Sequence, residues 1–133
     1  MPITFDTVTE IARAFPDIER VTKYDGSPVL KVHGSFVAGL ATDESVRRRP
    51  GALAGHAEAD TLVVRVDLDA RVWLLEDAPD TYYVTDYYRK YPVVLARMSA
   101  LTRDAVHDLL AVSRTLALAK VPHARRHSRP APR

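Results

Sequence analysis

None of the 133 positions is a cysteine, which excludes thiolate nucleophiles, disulfides and thiolate zinc sites. Glycine is scarce at five residues, and none of them forms the spaced pattern that cradles a phosphate. No stretch approaches the ~20 consecutive apolar residues of a membrane span. The opening "MPITFDTVTEIARAF" is too polar and acidic for a signal peptide. These absences lead to the expectation of a cytoplasmic, monomeric protein with no membrane role and no cofactor. A chain of this length is expected to form one domain, residues 1–119. It can bury roughly two-thirds of its unfolded surface without a metal or disulfide.

Positive charge is present, but it sits outside the expected folded body. The isoelectric point near 9.0 invites a nucleic-acid partner. All 17 acidic residues precede position 120, whereas five of the 19 Lys and Arg lie at or beyond it. Residues 1–119 therefore carry a net −3 and residues 120–133 a net +5. Setting aside Arg47, Arg48 and Arg49, which fall in a loop-like stretch, takes the body to −6. The basic character belongs to appendages, which weakens a purely electrostatic case for DNA.

Phe5, Val8, Ile11, Ala12 and Phe15 recur at spacings of three and four, the mark of a helix that Pro16 ends. Thr7 with Glu10 fits a capping box, and Thr4 fits a cap one turn earlier. "DIERVTKYDGSP" reads as a connection with a turn at Asp25-Gly26. "VLKVH" and "FVAGLA" read as a hairpin joined by Gly34-Ser35. Residues 43–60 have no clean period and are expected to form a long loop. "TLVVRVD" is the next strand, with Arg65 alternating with Leu62, Val64 and Val66. Asp67 or Asp69 then caps a short helix "ARVWLLED" with Val72, Leu75 and Trp73 inward.

"TYYVT" and "VVLARMSAL" read as two more strands joined by "DYYRKYP", and Thr102 and Asp104 open a last helix with Val106, Leu109, Leu110, Leu116 and Ala117 on its apolar side. Residues 120–133 contain three prolines and no hydrophobic period, and are expected to be a basic, disordered tail. The order α-β-β-β-α-β-β-α, with hairpin connections, predicts an α+β fold. It would be an antiparallel sheet of about five strands with helices packed on it.

Five of the six tyrosines lie between positions 82 and 91, interleaved with Arg89 and Lys90. In a strand, Tyr82 and Val84 share one face and Tyr83 and Thr85 the other. One of Tyr82 and Tyr83 is therefore expected to reach solvent. Likewise Val93, Leu95 and Arg97 share one face of the next strand, and Val94, Ala96 and Met98 the other. Tyr91, ahead of Pro92, is pushed to an extended conformation and pins the connection against the sheet. The cluster has two alternative readings. In one, most of it is packing, with hydroxyls bonded at the rim. In the other, an exposed tyrosine is a stacking platform with Arg89, Lys90 and Arg97 as phosphate partners.

The segments "DGSPVLKVHGSFVAGL", "LVVRVDLDARVWLL" and "DTYYVTDYYRKYPVVLARM", in this order, resemble the MmcQ/YjbR family of small bacterial proteins. The similarity spans roughly residues 8–118, and its most specific run is Tyr83-Val84-Thr85, Tyr88, Tyr91-Pro92 and Leu95-x-Arg97. The resemblance implies the same element order and a DNA-binding label, with no settled reaction and no catalytic residues to carry over. Two departures stand out. Ser35 replaces a lysine often found in the family's hairpin turn, and the 43–60 segment is longer than usual.

The expected function is therefore a non-enzymatic domain that binds DNA weakly and without sequence preference. Its candidate residues are Lys31, His33, Tyr83, Tyr88, Arg89, Lys90 and Arg97, with the tail adding phosphate contacts. Lys31 and His33 also fit the solvated face of a half-buried strand. Of the five histidines only His123 and His127 have ligand-like spacing, and no metal site is expected. Asp67 and Asp69 are explained by capping, His107 and Asp108 are helix neighbours that do not face each other, and no serine sits in a nucleophile elbow. The alternative is a module for a small molecule or a protein, using the sheet face or a groove beside the last helix. An apolar concavity containing Trp73 or several tyrosines would favour that alternative, and a flat basic face would favour nucleic acid.

Overall fold

The computed structural model describes residues 3–23, 26–41 and 60–120. The 42–59 stretch with Arg47–Arg49 and His56, Asp25 of the expected turn, and the tail beyond Lys120 with His123 and His127 lie outside the described residues. The first helix, α1 (Phe5–Ala12), starts at Thr4. The Thr4 side chain accepts from the Thr7 amide, while the Thr7 hydroxyl accepts from the Thr4 amide. The cap is thus the earlier of the two sequence alternatives. Phe5, Val8 and Ala12 are buried on one face.

Six antiparallel strands follow in the order β1-β2-β3-β4-β6-β5 across one sheet. They are β1 (Ile18–Thr22), β2 (Pro28–Val32), β3 (Ser35–Leu40), β4 (Thr61–Arg65), β5 (Tyr82–Tyr83) and β6 (Val93–Arg97). Between β4 and β6 lie α2 (Leu68–Asp77) and the single-turn α3 (Asp86–Arg89), and α4 (Arg103–Lys120) closes the fold. The α+β class and the antiparallel sheet are as the sequence predicts. The sheet gains β1 as a sixth strand. Four of its five residues are exposed, so it carries no buried stripe and reads as a connection. A charged edge strand is how sheets avoid pairing with other chains.

Three further details differ from the sequence reading. The hairpin turn is His33-Gly34, not Gly34-Ser35. Both residues have positive φ (49° and 82°), the geometry of the two-residue turn that matches strand twist. In α2, Leu75 packs on the core as expected, together with Ala70 and Leu74, whereas Val72 and Trp73 are exposed. The "TYYVT" strand shortens to Tyr82–Tyr83 because Thr85 starts α3, and β6 ends at Arg97, where a 3-10 turn (Met98–Ala100) begins.

The main core lies between the sheet and the helices. Leu30, Val32, Leu62, Val64, Val94 and Ala96 supply the sheet's side, and α4 presses Val106, Leu109, Leu110 and Ala117 onto it. The Ser113 hydroxyl, fully buried, donates to the Arg65 carbonyl and ties α4 to β4. At the far side of α4, Arg114 grips Asp17 through two bonds of 2.6 and 2.7 Å. That pairing holds the Asp17 carboxyl below the usual carboxylate range. Tyr82 joins this core and Tyr83 turns to the opposite face, as strand alternation requires. Among the described residues no helix is long and apolar enough to cross a membrane.

Candidate functional site

Among the described residues the opposite face of the sheet has no long helix over it. Its own apolar cluster is small: Val63, Val93 and Leu95, with Phe36, Ala41, Tyr83 and Tyr88 half-buried around them. Beside this cluster is a half-open hollow of about 580 Å³. That volume falls within the ~300–1,000 Å³ of ordinary small-molecule sites.

A register slip shapes the floor of the hollow. Pairing between β2 and β3 runs Val29↔Gly39 and Leu30↔Ala38, then shifts to Lys31↔Phe36. The extra residue in β3 lets both Val37 and Ala38 join the helix-side core, and it leaves Phe36 and Gly39, three apart, on the open face. Gly39 leaves room for the Phe36 ring in its present position. A Cβ at that position would lie 3.3 Å from the Phe36 ring and 3.5 Å from Val29.

One wall is the tyrosine connection. Tyr87 packs edge-on against Tyr88 with ring centroids 4.9 Å apart, and against Tyr91 at 5.5 Å. All three rings line the hollow together with Pro92 and Val93. What holds this wall is Arg71 of α2. Its guanidinium donates to the carbonyls of Arg89 (3.0 Å), Tyr91 (2.9 Å) and Val93 (3.2 Å). Arg71 thus acts as a clamp on the backbone behind the rings.

Among the described residues the charged groups lining the hollow are Lys23, Lys31 and Arg65, and no carboxylate lines it. Among the described residues none of the three forms an ion pair. Arg65 is half-buried in the central strand, where its Nε donates to the Phe36 carbonyl at 2.6 Å. That bond engages only Nε of the guanidinium. Burial pushes the Arg65 pKa down, although a guanidinium stays protonated at neutral pH. A guanidinium without a counter-charge in a partly apolar wall is costly, and an anion bound beside it would offset that cost.

The residues expected from the sequence divide among several places. Lys31 and Tyr88 belong to the hollow. Tyr83 and Arg97 lie together at the β5–β6 edge, with the guanidinium 4.3 Å from the ring centroid. Tyr83 also bonds the buried Thr61 hydroxyl, and Arg97 donates to the carbonyls of Pro79 and Asp80. Arg89 is exposed and 3.6 Å from Asp86. Lys90 lies 5.5 Å from both the Tyr87 and Tyr91 ring centroids, at the outer rim of the tyrosine wall. His33 occupies the hairpin turn and does not line the hollow. Sequence reasoning did not single out Lys23, Arg65 or Arg71. Arg65 did leave a signal, as the lone cation in an otherwise apolar strand. Neither protein-family models nor curated proteins match this chain.

Proposed function

We propose that this protein is a binding module for a small anionic ligand with a flat apolar body, held on the open face of the sheet. One observation carries the reading: among the described residues, three cations without an ion pair surround a tyrosine-walled hollow that no carboxylate lines. Arg65 takes the anionic group through its terminal nitrogens, in the planar geometry that suits carboxylate and phosphate. Lys23 and Lys31 add unspecific attraction from the rim. Phe36 and the tyrosine rings provide the surface for the ligand's body.

Weak nucleic-acid binding is the second reading. It is favoured by exposed Arg89 and Lys90 beside the partly exposed Tyr91 at the same rim, and by the MmcQ/YjbR resemblance. Titration calorimetry with phenyl phosphate, benzoate and benzylamine separates the two, alongside anisotropy with labelled duplex and single-stranded DNA. Both anions are expected to bind and the amine not to. Arg65→Met weakens the anions at least about tenfold, a loss of ~1.4 kcal/mol. Equal binding of amine and anions, or no binding of either anion, removes the small-anion reading. DNA binding that depends on Arg89 and Lys90 but not on Arg65 transfers the site to nucleic acid.

A further inference from the structure

Strand register shows that the cations of the open face stand at two separate places. Lys31 is paired with Phe36 across β2 and β3, and from β4 the Arg65 guanidinium donates to the Phe36 carbonyl. Lys31 and Arg65 therefore flank Phe36 two strand spacings apart, about 10 Å between backbones, which lets both side chains reach one anionic group. Lys23 stands elsewhere. Glu19 is paired with Lys31 and Val21 with Val29, so the next alternate residue of that segment, Lys23, shares their face of the sheet. Its amide bonds the Ser27 carbonyl at 2.8 Å. Ser27 precedes Lys31 by four residues, which puts Lys23 about 13 Å along the sheet from the Lys31 end.

Between the two ends the floor is apolar and low. Val29, Gly39 and Val63 are direct neighbours across β2, β3 and β4, and all three line the hollow. With no side chain at Gly39, the middle of that row is a trough between two valines. The two ends also differ in their own counter-charge. Glu19 stands across from Lys31, outside the lining, and the two form no ion pair, whereas the residue across from Lys23 is a serine. Lys23 is thus a second positive pole with no carboxylate opposite it. Resting on the small-anion reading above, we propose that the ligand carries two anionic groups, one at each end of a flat apolar body about two rings long. One group lies between Arg65 and Lys31, the body crosses the Val29–Gly39–Val63 row, and the second group meets Lys23. Lysine reach closes the remaining distance, since its charge ends a flexible four-carbon stem.

Titration calorimetry on the full chain at about 20 mM salt, where exposed charges are least screened, tests the second pole. It compares biphenyl-4-carboxylate with biphenyl-4,4′-dicarboxylate, and with the 2,2′ isomer, which has the same charge but carries its carboxylates close together. Beyond the doubling that two equivalent ends give, the 4,4′ compound is expected to bind about fivefold tighter than the monoacid, the scale of one exposed ion pair. The 2,2′ isomer gains nothing, and in Lys23→Met the 4,4′ compound and the monoacid bind alike. Far-UV circular dichroism confirms that the variant is folded. Equal affinities in wild type, a gain shared by the 2,2′ isomer, or a gain that survives Lys23→Met overturns the two-ended ligand. Monoacid binding that is weakened by Arg65→Met leaves the small-anion reading standing in each of those cases. If neither the monoacid nor the 4,4′ compound binds, the small-anion reading itself fails and the second pole falls with it.

Discussion

On one side of the sheet, Leu30, Val32, Leu62, Val64, Val94 and Ala96 vanish beneath α4; on the other, among the described residues, Val63, Val93 and Leu95 carry only a thin layer of tyrosine and phenylalanine. The same strands build both faces, and alternation assigns each residue to one of them. The helix-side face is packed with aliphatic side chains and supplies most of the apolar burial that offsets chain entropy. Among the described residues the open face holds the half-buried Arg65, the lysines without an ion pair and the hollow. A central strand could bury Arg65 only because the opposite face already supplies stability. The proposed binding chemistry is concentrated where packing is least complete.

The sharpest way to break this comparison is to damage each face and measure both stability and ligand binding. Leu110 is fully buried on α4, and Leu110→Ala leaves a cavity. We expect a loss of about 2–5 kcal/mol in urea denaturation. Binding of phenyl phosphate by the molecules that remain folded should be unchanged. A large drop in their affinity would show that the two faces are not separable.

Arg71→Ala is the next largest. It removes three bonds to the carbonyls behind the tyrosine wall, where Arg71 is the link from α2 to that backbone. Charge-assisted bonds at a partly exposed site contribute modestly, so the expected loss is ~1–3 kcal/mol in total. The informative readout is hydrogen exchange at the bonded amides of Arg89, Tyr91 and Val93. Protection there should fall before protection in β4 and the rest of β6 does. If exchange rises uniformly through the sheet, Arg71 supports the whole fold and not the wall in particular.

Much of this division was legible in the residues. Tyr82 against Tyr83, and Val93 and Leu95 against Val94 and Ala96, follow from period-two alternation alone. The caps at Thr4, Asp67 and Thr102 follow from side-chain oxygens placed three residues before an orphan amide. Other features depend on where strands meet. The register slip that re-aims Phe36 exists only in the pairing of β3 with β2 and has no local signal. Lys23 reaches the hollow because β1 packs at the edge, and β1 itself has too little buried surface to show a pattern. Trp73 looks like a core residue by type, yet at its helical position it falls on the outer side. Arg65 is the intermediate case: visible as an odd residue in an apolar strand, but interpretable only once Phe36 was placed beside it.

Gly39→Ala gives the smallest effect and the finest discrimination. The added methyl meets the Phe36 ring at 3.3 Å and Val29 at 3.5 Å, so something must yield by a few tenths of an ångström. Val29 is buried and held, whereas Phe36 is only half-buried and has the hollow to move into. The ring should therefore swing outward. Losing glycine's freedom in the unfolded chain stabilises by ~0.4–1 kcal/mol, which roughly offsets the displacement of the ring. Urea denaturation should show a change within about 0.5 kcal/mol of wild type. Phenyl phosphate should bind a few-fold more weakly, because the ring then occupies part of its place. Weaker binding at unchanged stability would assign the floor of the hollow to the ligand. A clear loss of stability with binding intact would mean that Phe36 packs as core and that the ligand's body rests on the tyrosines alone.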